Sequence, residues 1–177
     1  MKIAVIGYSG AGKSTLSVTL SAQYTLPLLH LDQVQFLPGW SIRDPEEARA
    51  LVTAFMEAHD DWVIDGNYRG FQQEQRMREA DVIVFLNFPR LLCLWRAWRR
   101  YCRFQGHTRP SMAVGCDEKW DADFVKWILK EGRTRTYRER YRAICRQYPD
   151  KIIVCRTRRD VRRAVKEMEQ RFSAPSR

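Results

Sequence analysis

The stretch GYSGAGKST at residues 7–15 decides the fold, because it directly follows the apolar run KIAVI at residues 2–6. It matches the pattern G-x-x-x-x-G-K-[ST], with Gly7 in the first position and Gly12, Lys13 and Ser14 at the end. Glycines let backbone amides turn inward and approach phosphate oxygens closely. A helical pattern, with Leu16 and Leu20 on one face, continues the chain. The stretch therefore predicts a phosphate-binding P-loop between a strand and a helix.

The P-loop pattern also assigns individual roles. Lys13 is expected to reach the β- and γ-phosphates and to act in catalysis, and the Ser14 hydroxyl is expected to bind Mg²⁺. The amino end of the following helix favours the same anion. ATP and Mg²⁺ are therefore the predicted cofactors. The predicted nucleotide-binding residues in this stretch are Gly7, Ser9, Gly10, Ala11, Gly12, Lys13, Ser14 and Thr15.

Strands and helices alternate along the rest of the chain. Apolar runs predict strands at residues 2–6, 26–31, 62–65, 81–87 and 151–155, and helical patterns lie between and after them. Asp44 and Pro45 predict a helix start, whereas residues 32–40 are expected to form a loop. Such alternation predicts an α/β protein, a three-layer P-loop NTPase with a five-stranded parallel sheet and helices on both faces. We expect a single domain over residues 1–177, with a helical lid or insert at about residues 103–136.

Two aspartates are placed to serve the phosphates. Asp65 closes the strand WVID, and Asp32 is expected to close LLHL, so both should lie at the carboxyl edge of the sheet. We assign Asp65 to the metal and Asp32 to catalysis and the acceptor, as a hydrogen-bond acceptor or general base. The two roles could be exchanged, and either residue could instead be a turn or cap residue. Beyond Asp65, the predicted acceptor-binding residues are Asn67, Tyr68 and Arg69, although Tyr68 could equally serve packing.

Charge is distributed unevenly. The net charge is +10, but residues 1–88 hold 7 Lys and Arg against 11 Asp and Glu, whereas residues 89–177 hold 24 against 10. This asymmetry indicates a polyanionic partner, either a polyphosphate substrate or a nucleic acid. Two arginine clusters bracket the predicted lid, and each arginine could instead be a solvated surface residue. The clusters are Arg96, Arg99, Arg100 and Arg103, and Arg133, Arg135, Arg138 and Arg142.

Several classes of protein are not expected. No apolar run approaches the roughly 20 residues of a membrane span, and no signal peptide is recognisable, so we expect a cytoplasmic protein without a membrane partner. The five cysteines and three histidines show no disulfide or metal spacing. Tryptophans at helical spacing are expected to belong to the core, although they could instead form a platform for stacking on bases; they are Trp95, Trp98, Trp120 and Trp127. The oligomeric state is not readable from the sequence.

Further motifs give the chain a family resemblance. The segments HLDQVQFLPGW, WVIDGNY, NFPR and the GC-E pattern at residues 115–118 occur together with the P-loop. The chain resembles the adenylate-kinase-like P-loop proteins of the DNA topology modulation (FlaR-like) family. The resemblance implies the strand order 2-3-1-4-5 and Asp65 as the Walker B-type acid. It also implies nucleotide contacts for Arg96 or Arg100, and a catalytic lid arginine at Arg135. Where adenylate kinases carry D-G-F-P-R, residues 65–69 read D-G-N-Y-R, which implies a different acceptor site.

Two functions follow from these features. The first is an ATP-dependent kinase that transfers the γ-phosphoryl group to a small hydroxyl or phosphate acceptor, similar to a nucleoside or nucleotide. The alternative is an ATP-dependent nucleic-acid-binding regulator that affects DNA topology, for which the basic second half is the motivation. The aspartates at strand ends favour the kinase, because they would repel nucleic acid phosphates.

Overall fold

A parallel sheet forms the centre of the protein in a computed structural model that describes residues 1–172. The strands are β1 (Lys2–Gly7), β2 (Leu28–His30), β3 (Phe36–Leu37), β4 (Ser41–Ile42), β5 (Trp62–Asp65), β6 (Val82–Leu86) and β7 (Ile152–Cys155). Five of them form the parallel sheet in the order β2-β5-β1-β6-β7, while β3 and β4 form a separate antiparallel hairpin. Counted within the five-stranded sheet alone, this is the order 2-3-1-4-5. The predicted α/β class with a five-stranded parallel sheet is confirmed.

Helices cover both faces of the sheet. They are α1 (Lys13–Tyr24), α2 (Leu31–Gln35), α3 (Pro45–Ala58), α4 (Gln73–Glu79), α5 (Arg90–Phe104), α6 (Ala122–Leu129), α7 (Arg135–Gln147) and α8 (Arg158–Phe172). Alternate residues of β1 feed two separate cores, with Ile3 and Val5 in one and Ala4 and Ile6 in the other. The first core joins the sheet to α1, α5, α6 and α8, and the second joins it to α3, α4 and α7.

The segment predicted as a loop at residues 32–40 forms regular secondary structure instead. Strand β2 ends at His30, and the short helix α2 follows it at once. Leu31 and Val34, three residues apart, are both buried in the second core, which explains a helical turn at this point. The hairpin then pairs Phe36 with Ile42 and Leu37 with Ser41, and its turn is the predicted Pro38–Gly39 break. The expectation of a strand over residues 26–31 and a loop after it was therefore wrong in detail.

The helical stretch predicted after Trp120 is divided into two helices. Helix α6 ends at Leu129, a 3₁₀ turn covers Glu131–Arg133, and α7 begins at Arg135. Gly132 lies at the break, where a Cβ atom would come within 3.0 Å of the Trp127 carbonyl oxygen. A side chain at this position would be tightly packed against Trp127. Movement of residues 103–136 as a lid stays a prediction.

Two of the four tryptophans expected in the core face solvent. Trp95 is 42% exposed and Trp98 is 48% exposed, because α5 buries its small residues Cys93 and Ala97 instead. Trp120 and Trp127 are partly buried against the first core. All five cysteines are free thiols. Within residues 1–172, no helix combines the length and the apolar composition that crossing a membrane would require.

Candidate nucleotide-binding site

The P-loop joins the carboxyl end of β1 to α1, and its glycines allow it to lie against neighbouring backbone. Gly7 has φ 147°, and a Cβ atom there would lie 2.5 Å from the carbonyl oxygen of Leu86. Gly10 has φ 75°, and a Cβ atom there would clash with the carbonyl group of Cys93. The loop is thus pressed between β6 and α5 in a conformation that only glycine adopts without strain.

Lys13 and the first turn of α1 provide the positive end of the site. The first hydrogen bond of the helix runs from the Leu16 amide to the Gly12 carbonyl, at 3.1 Å. The preceding amides at residues 13–15 therefore have no partner within the helix and can donate to a bound anion. The Lys13 ammonium group donates to the carbonyl oxygens of Gly7 (3.1 Å) and Tyr8 (3.4 Å). Burial lowers the pKa of Lys13, and the nearby carboxylates of Asp32 and Asp65 oppose that shift.

Asp65 ends β5 as predicted and forms a buried pair with His30. Its Oδ1 atom lies 2.8 Å from Nδ1 of His30, the residue opposite it on β2. The other oxygen, Oδ2, is buried and has no hydrogen-bond partner within residues 1–172. An unpartnered carboxylate oxygen near Lys13 fits a hard cation such as Mg²⁺, with the Ser14 hydroxyl as a second oxygen donor. The sequence analysis found no metal spacing for His30 and gave it no role. The signal it missed is that His30 and Asp65 both end strands, and these strands are parallel neighbours.

Asp32 lies in α2 rather than at the end of β2. Its Oδ1 accepts a hydrogen bond from the Tyr68 hydroxyl at 2.8 Å, and its Oδ2 accepts one from Nη2 of Arg109 at 3.2 Å. Burial and the Asp32 carboxylate raise the pKa of Tyr68 far above its usual value. Tyr68 also stacks on Phe71, with ring centroids 5.0 Å apart. Tyr68 thus packs against Phe71 and also holds the Asp32 carboxylate. Arg109, the second partner of Asp32, was not among the predicted site residues.

Arg100, predicted to contact nucleotide, belongs to the same ionic network. Its Nε atom lies 3.0 Å from Oε2 of the buried Glu118. Arg109 Nε lies 3.0 Å from the other oxygen of Glu118. The network therefore runs from Asp32 through Arg109 and Glu118 to Arg100, and it joins α2 to α5 through the connection between α5 and α6.

This connection, residues 105–121, is attached to the hairpin β3–β4, and we call the two segments together the clasp. The Gly39 amide donates to the Gly115 carbonyl at 3.0 Å, and Nε1 of Trp40 donates to the Asp117 carbonyl at 3.0 Å. The Cys116 thiol donates to the Leu37 carbonyl at 3.2 Å. Two of the motifs that carry the family resemblance, HLDQVQFLPGW and GC-E, are thus in direct contact.

The loop after β5 is fixed from two sides. The side-chain amide of Asn67, predicted to bind the acceptor, instead pairs with both the amide and the carbonyl of Gly7. Arg76 is fully buried and donates to the carbonyls of Phe71 (2.7 Å) and Tyr68 (2.9 Å), with that of Gly66 at 3.5 Å. Burial lowers the pKa of Arg76 to about 9. Asn67 therefore supports the P-loop, and Arg76 supports the loop that carries Asn67.

The arginines of the second half take unequal positions. Arg96 donates to the Ala11 carbonyl at 2.8 Å, which brings it to the P-loop as expected. Arg135 is 88% exposed and pairs with Glu139, so the structure does not bring it to the P-loop. Arg133 comes there instead, with its guanidinium 3.8 Å from the centre of the Tyr8 ring. Helix α6 also reaches the loop, since Nε1 of Trp127 donates to the Ser9 hydroxyl at 3.1 Å.

A cleft of about 80 Å³ opens beside the first residues of the P-loop. Tyr8 and Ser9 line one side, and the loop after β5 and α7 line the others. Arg69, predicted to bind the acceptor, is exposed and lies at this cleft, together with Arg133 and Arg140. The residues that line the cleft include no aspartate, glutamate or histidine.

No family model and no curated protein matches the chain. Several solved structures do. The deoxyadenosine kinase of M. mycoides with bound dATP has 14% identity and a TM-score of 0.59, over 98% of this chain and 100% of that one. The shikimate kinase of Bacteroides thetaiotaomicron has 18% identity and a TM-score of 0.54, over 98% of both chains. An uncharacterised protein of Eubacterium ventriosum has 17% identity and a TM-score of 0.54, over 98% and 99%. The chain therefore has the fold of the P-loop kinases.

Proposed function

We propose that this protein is an ATP- and Mg²⁺-dependent phosphotransferase that transfers the γ-phosphoryl group to a small acceptor. The observation that carries the proposal is the convergence of the P-loop, Lys13 and two carboxylates at one edge of the sheet. Asp32 and Asp65 are both close enough to Lys13 to influence its pKa. Phosphoryl transfer depends on positioning and on electrostatic stabilisation, and these are the groups that supply both.

Each residue then has a stated role. The amides of residues 7–15 and Lys13 bind the β- and γ-phosphates, and Arg96 supports the loop from α5 through the Ala11 carbonyl. Ser14 and Asp65 hold Mg²⁺, which supplies positive charge to the phosphates. His30 fixes the orientation of Asp65 through their 2.8 Å contact. Arg133 is better placed than Arg135 to reach a phosphoryl group, because it already lies against Tyr8 of the P-loop.

The named neighbours support a kinase without identifying the acceptor. Shikimate kinase and deoxyadenosine kinase act on different small molecules, as their names state. Membership of the FlaR-like family is part of our proposal, supported by the contact between its two motifs in the clasp. We propose a cytoplasmic location as well, because five free thiols suit a reducing compartment that contains ATP.

Titration calorimetry with ATP and Mg²⁺ tests the proposal directly. We expect saturable heat from the native chain and about 100-fold or more loss of affinity in Lys13→Ala, because a charged phosphate contact disappears. The control is Lys166→Ala, an exposed lysine of α8 outside the site, which should bind as the native chain does. Absence of heat at millimolar Mg-ATP, or full affinity in Lys13→Ala, would refute the function.

A second candidate function is nucleic acid binding, and one surface favours it. The outer face of α5 exposes Leu91, Trp95 and Trp98, and the Arg99 guanidinium lies 4.9 Å from the Trp95 ring centre. Helix α5 contains five arginines and no acidic residue. Exposed tryptophans between arginines can stack on the bases of a single strand.

Fluorescence anisotropy with a labelled single-stranded oligonucleotide tests this candidate. It predicts binding that weakens steeply with salt and that is reduced about 10-fold by Trp98→Ala, since one stacked base contributes about 1–3 kcal/mol. Affinity that is independent of salt, or unaffected by Trp98→Ala, argues against it.

A further inference from the structure

We propose that the outer side of α7 binds a linear chain of phosphate groups, of the inorganic polyphosphate class. The site consists of Arg138, Arg142 and Arg146, which we call the arginine row. Arg138 and Arg142 belong to the second arginine cluster of the sequence, and neither has a role in the nucleotide-binding site. Because the row is separate from the P-loop, the inference does not rest on the proposed phosphotransferase function.

The arginine row is a line of positive charge on the surface. Its members follow one another at intervals of four residues, so they lie on one side of α7, about 6 Å apart along the helix axis. All three side chains belong to exposed residues. The row therefore presents three guanidinium groups to solvent along about 12 Å of helix.

These guanidinium groups have no acidic partner in the described part of the chain. Within residues 1–172, no member of the row forms an ion pair, and Glu139, the acidic residue of α7, pairs with Arg135. Like charges four residues apart destabilise a helix. The arrangement is therefore unfavourable in the protein alone, and a bound polyanion would remove the repulsion.

Helix α8 is also basic, but its charge is distributed differently. It contains Asp160, Glu167 and Glu169 among its arginines and lysines, and Arg163 pairs with Asp160. Helix α7 contains five arginines against one glutamate. Uncompensated positive charge is thus concentrated on α7, and α8 provides a basic helix for comparison.

Other parts of the protein place the row between the P-loop and the end of β7. Burial raises the pKa of the Tyr8 hydroxyl in the P-loop, and two members of the row are among the arginines that oppose the shift. Burial also raises the pKa of the Cys145 thiol, and Arg156, which follows β7, opposes that shift together with Arg146. The row therefore begins near one phosphate site and has a further arginine beside it.

The surroundings of the row favour a ligand without aromatic or apolar parts. The two aromatic residues of α7 face the protein, since Tyr141 is buried and Tyr137 packs against Trp127. Helix α7, all of which the structure describes, thus offers no exposed ring on which a base could stack. It also lacks the exposed apolar stripe that would bind an amphipathic helix. The exposed tryptophans of α5 make that helix a different kind of surface.

A chain of phosphates matches the row in chemistry and in shape. Guanidinium groups bind phosphate oxygens through paired, charge-assisted hydrogen bonds. A nucleic acid duplex presents two backbones on either side of a major groove about 12 Å wide. A single line of three charges fits one chain instead, and inorganic polyphosphate has charge at every unit and nothing else to bind.

The test measures binding of a short-chain inorganic polyphosphate by titration calorimetry at several salt concentrations. The test variant combines Arg138→Gln, Arg142→Gln and Arg146→Gln, because glutamine removes the charge and keeps the helix propensity. It should bind about 30-fold more weakly, at about threefold for each exposed charge pair. The slope of log K against log salt should become shallower by about two, because three phosphate contacts disappear.

The matched control removes the same charge from exposed positions of α8. It combines Arg159→Gln, Arg162→Gln and Lys166→Gln, and its affinity should fall by less than about threefold because distant charges are screened. Equal losses in the two variants would show that net charge alone attracts the polymer, and would overturn the inference.

Urea denaturation separates a lost contact from a lost fold. The test variant should unfold at the same urea concentration as the native chain or at a higher one, because repulsion within α7 is removed. A lower midpoint would mean that the row stabilises the fold, and would overturn the inference.

Two further measurements decide the ligand and its place. Lys13→Ala should bind polyphosphate as the native chain does, and a loss of binding there would place the polymer in the P-loop. Double-stranded DNA that binds more tightly than polyphosphate, and depends on the same three arginines, would assign the row to nucleic acid. Either result, or no detectable polyphosphate binding by the native chain at low salt, would overturn the inference.

Discussion

The P-loop and the clasp border the same site but are stabilised in different ways. The P-loop continues a buried strand, and its shape follows from glycines that lie against the backbone of β6 and α5. In the clasp, hydrogen bonds join residues 36–42 to residues 105–121, and the ion pair of Arg109 with Glu118 lies within the second segment. The conformation of the P-loop depends on its own glycines, which allow close packing on the backbone of β6 and α5. The hairpin is held instead by hydrogen bonds to residues 115–117, about 80 positions later in the sequence. The P-loop therefore depends on close packing of backbone, and the clasp depends on polar contacts.

Replacement of Arg76 by methionine should give the largest effect. Arg76 is fully buried, and the substitution removes its hydrogen bonds to the carbonyl oxygens of Gly66, Tyr68 and Phe71. We expect the free energy of unfolding to fall by about 3–5 kcal/mol, as for other broken buried charged contacts. Arg78→Met on the exposed side of the same helix should change it by less than about 0.5 kcal/mol. Equal effects in urea denaturation would remove Arg76 as the support of this loop.

Gly7→Ala tests the rigidity of the P-loop. The added methyl would meet the Leu86 carbonyl oxygen at 2.5 Å, at a φ of 147° that alanine rarely adopts. We expect about 1–3 kcal/mol of destabilisation together with a loss of Mg-ATP affinity. Gly70→Ala is the control, because no atom lies within 4 Å of its added carbon. A Gly7→Ala protein with native stability and native affinity would show that the P-loop can move to accommodate the added methyl group.

Glu118→Gln tests whether the clasp depends on charge. The substitution leaves Arg100 and Arg109 without their shared carboxylate, while the shape of the side chain is kept. We expect faster amide hydrogen exchange confined to residues 105–121 and the hairpin, with the exchange of β1 and β6 unchanged, because the clasp has its own contacts. Asp123→Asn, at an exposed position in α6, serves as control. Exchange that quickens throughout the sheet would mean that the two regions unfold together.

Lys13→Met should have the smallest effect on stability, and unlike the other substitutions it should increase stability. Burial lowers the folded pKa of Lys13 below its unfolded value, so the charged form is disfavoured by folding at neutral pH. Between the two pKa values the unfolded chain binds more protons, and stability contributed by this group rises with pH. Lys13→Met should therefore raise Tm slightly at pH 7 without ligand, and the gain should vanish above about pH 10.4. A lower Tm at pH 7 contradicts this.

The sequence predicted features whose cause is local. The P-loop, the start of α3 at Pro45 with its Asp44 cap, and the placement of Asp65 at the end of β5 all follow from short patterns. Asp44 accepts hydrogen bonds from the amides of Glu46 (2.9 Å) and Glu47 (3.1 Å), as its position before proline predicts. In each case the interactions that stabilise the feature are formed by residues a few positions apart.

Features that depend on distant partners could not be predicted in the same way. Arg109 reaches Asp32 across 77 positions, and nothing near either residue indicates that contact. The family resemblance assigned the lid role to Arg135. The sequence did not indicate that the turn before α7 brings Arg133, and not Arg135, to the P-loop. The periodicity of α5 did not decide which of two helix faces is buried. The structure buries the small residues Cys93 and Ala97 and leaves Trp95 and Trp98 exposed.

The hairpin β3–β4 has a consequence for folding during translation. Each of its strands has two residues, too few to persist alone in water. Its hydrogen bonds to Gly115, Cys116 and Asp117 come from residues translated much later. The nascent chain therefore cannot complete the clasp until residues 115–117 have left the exit tunnel, long after the P-loop has been translated. Until then the backbone groups of Leu37 and Gly39 and the indole of Trp40 lack these partners.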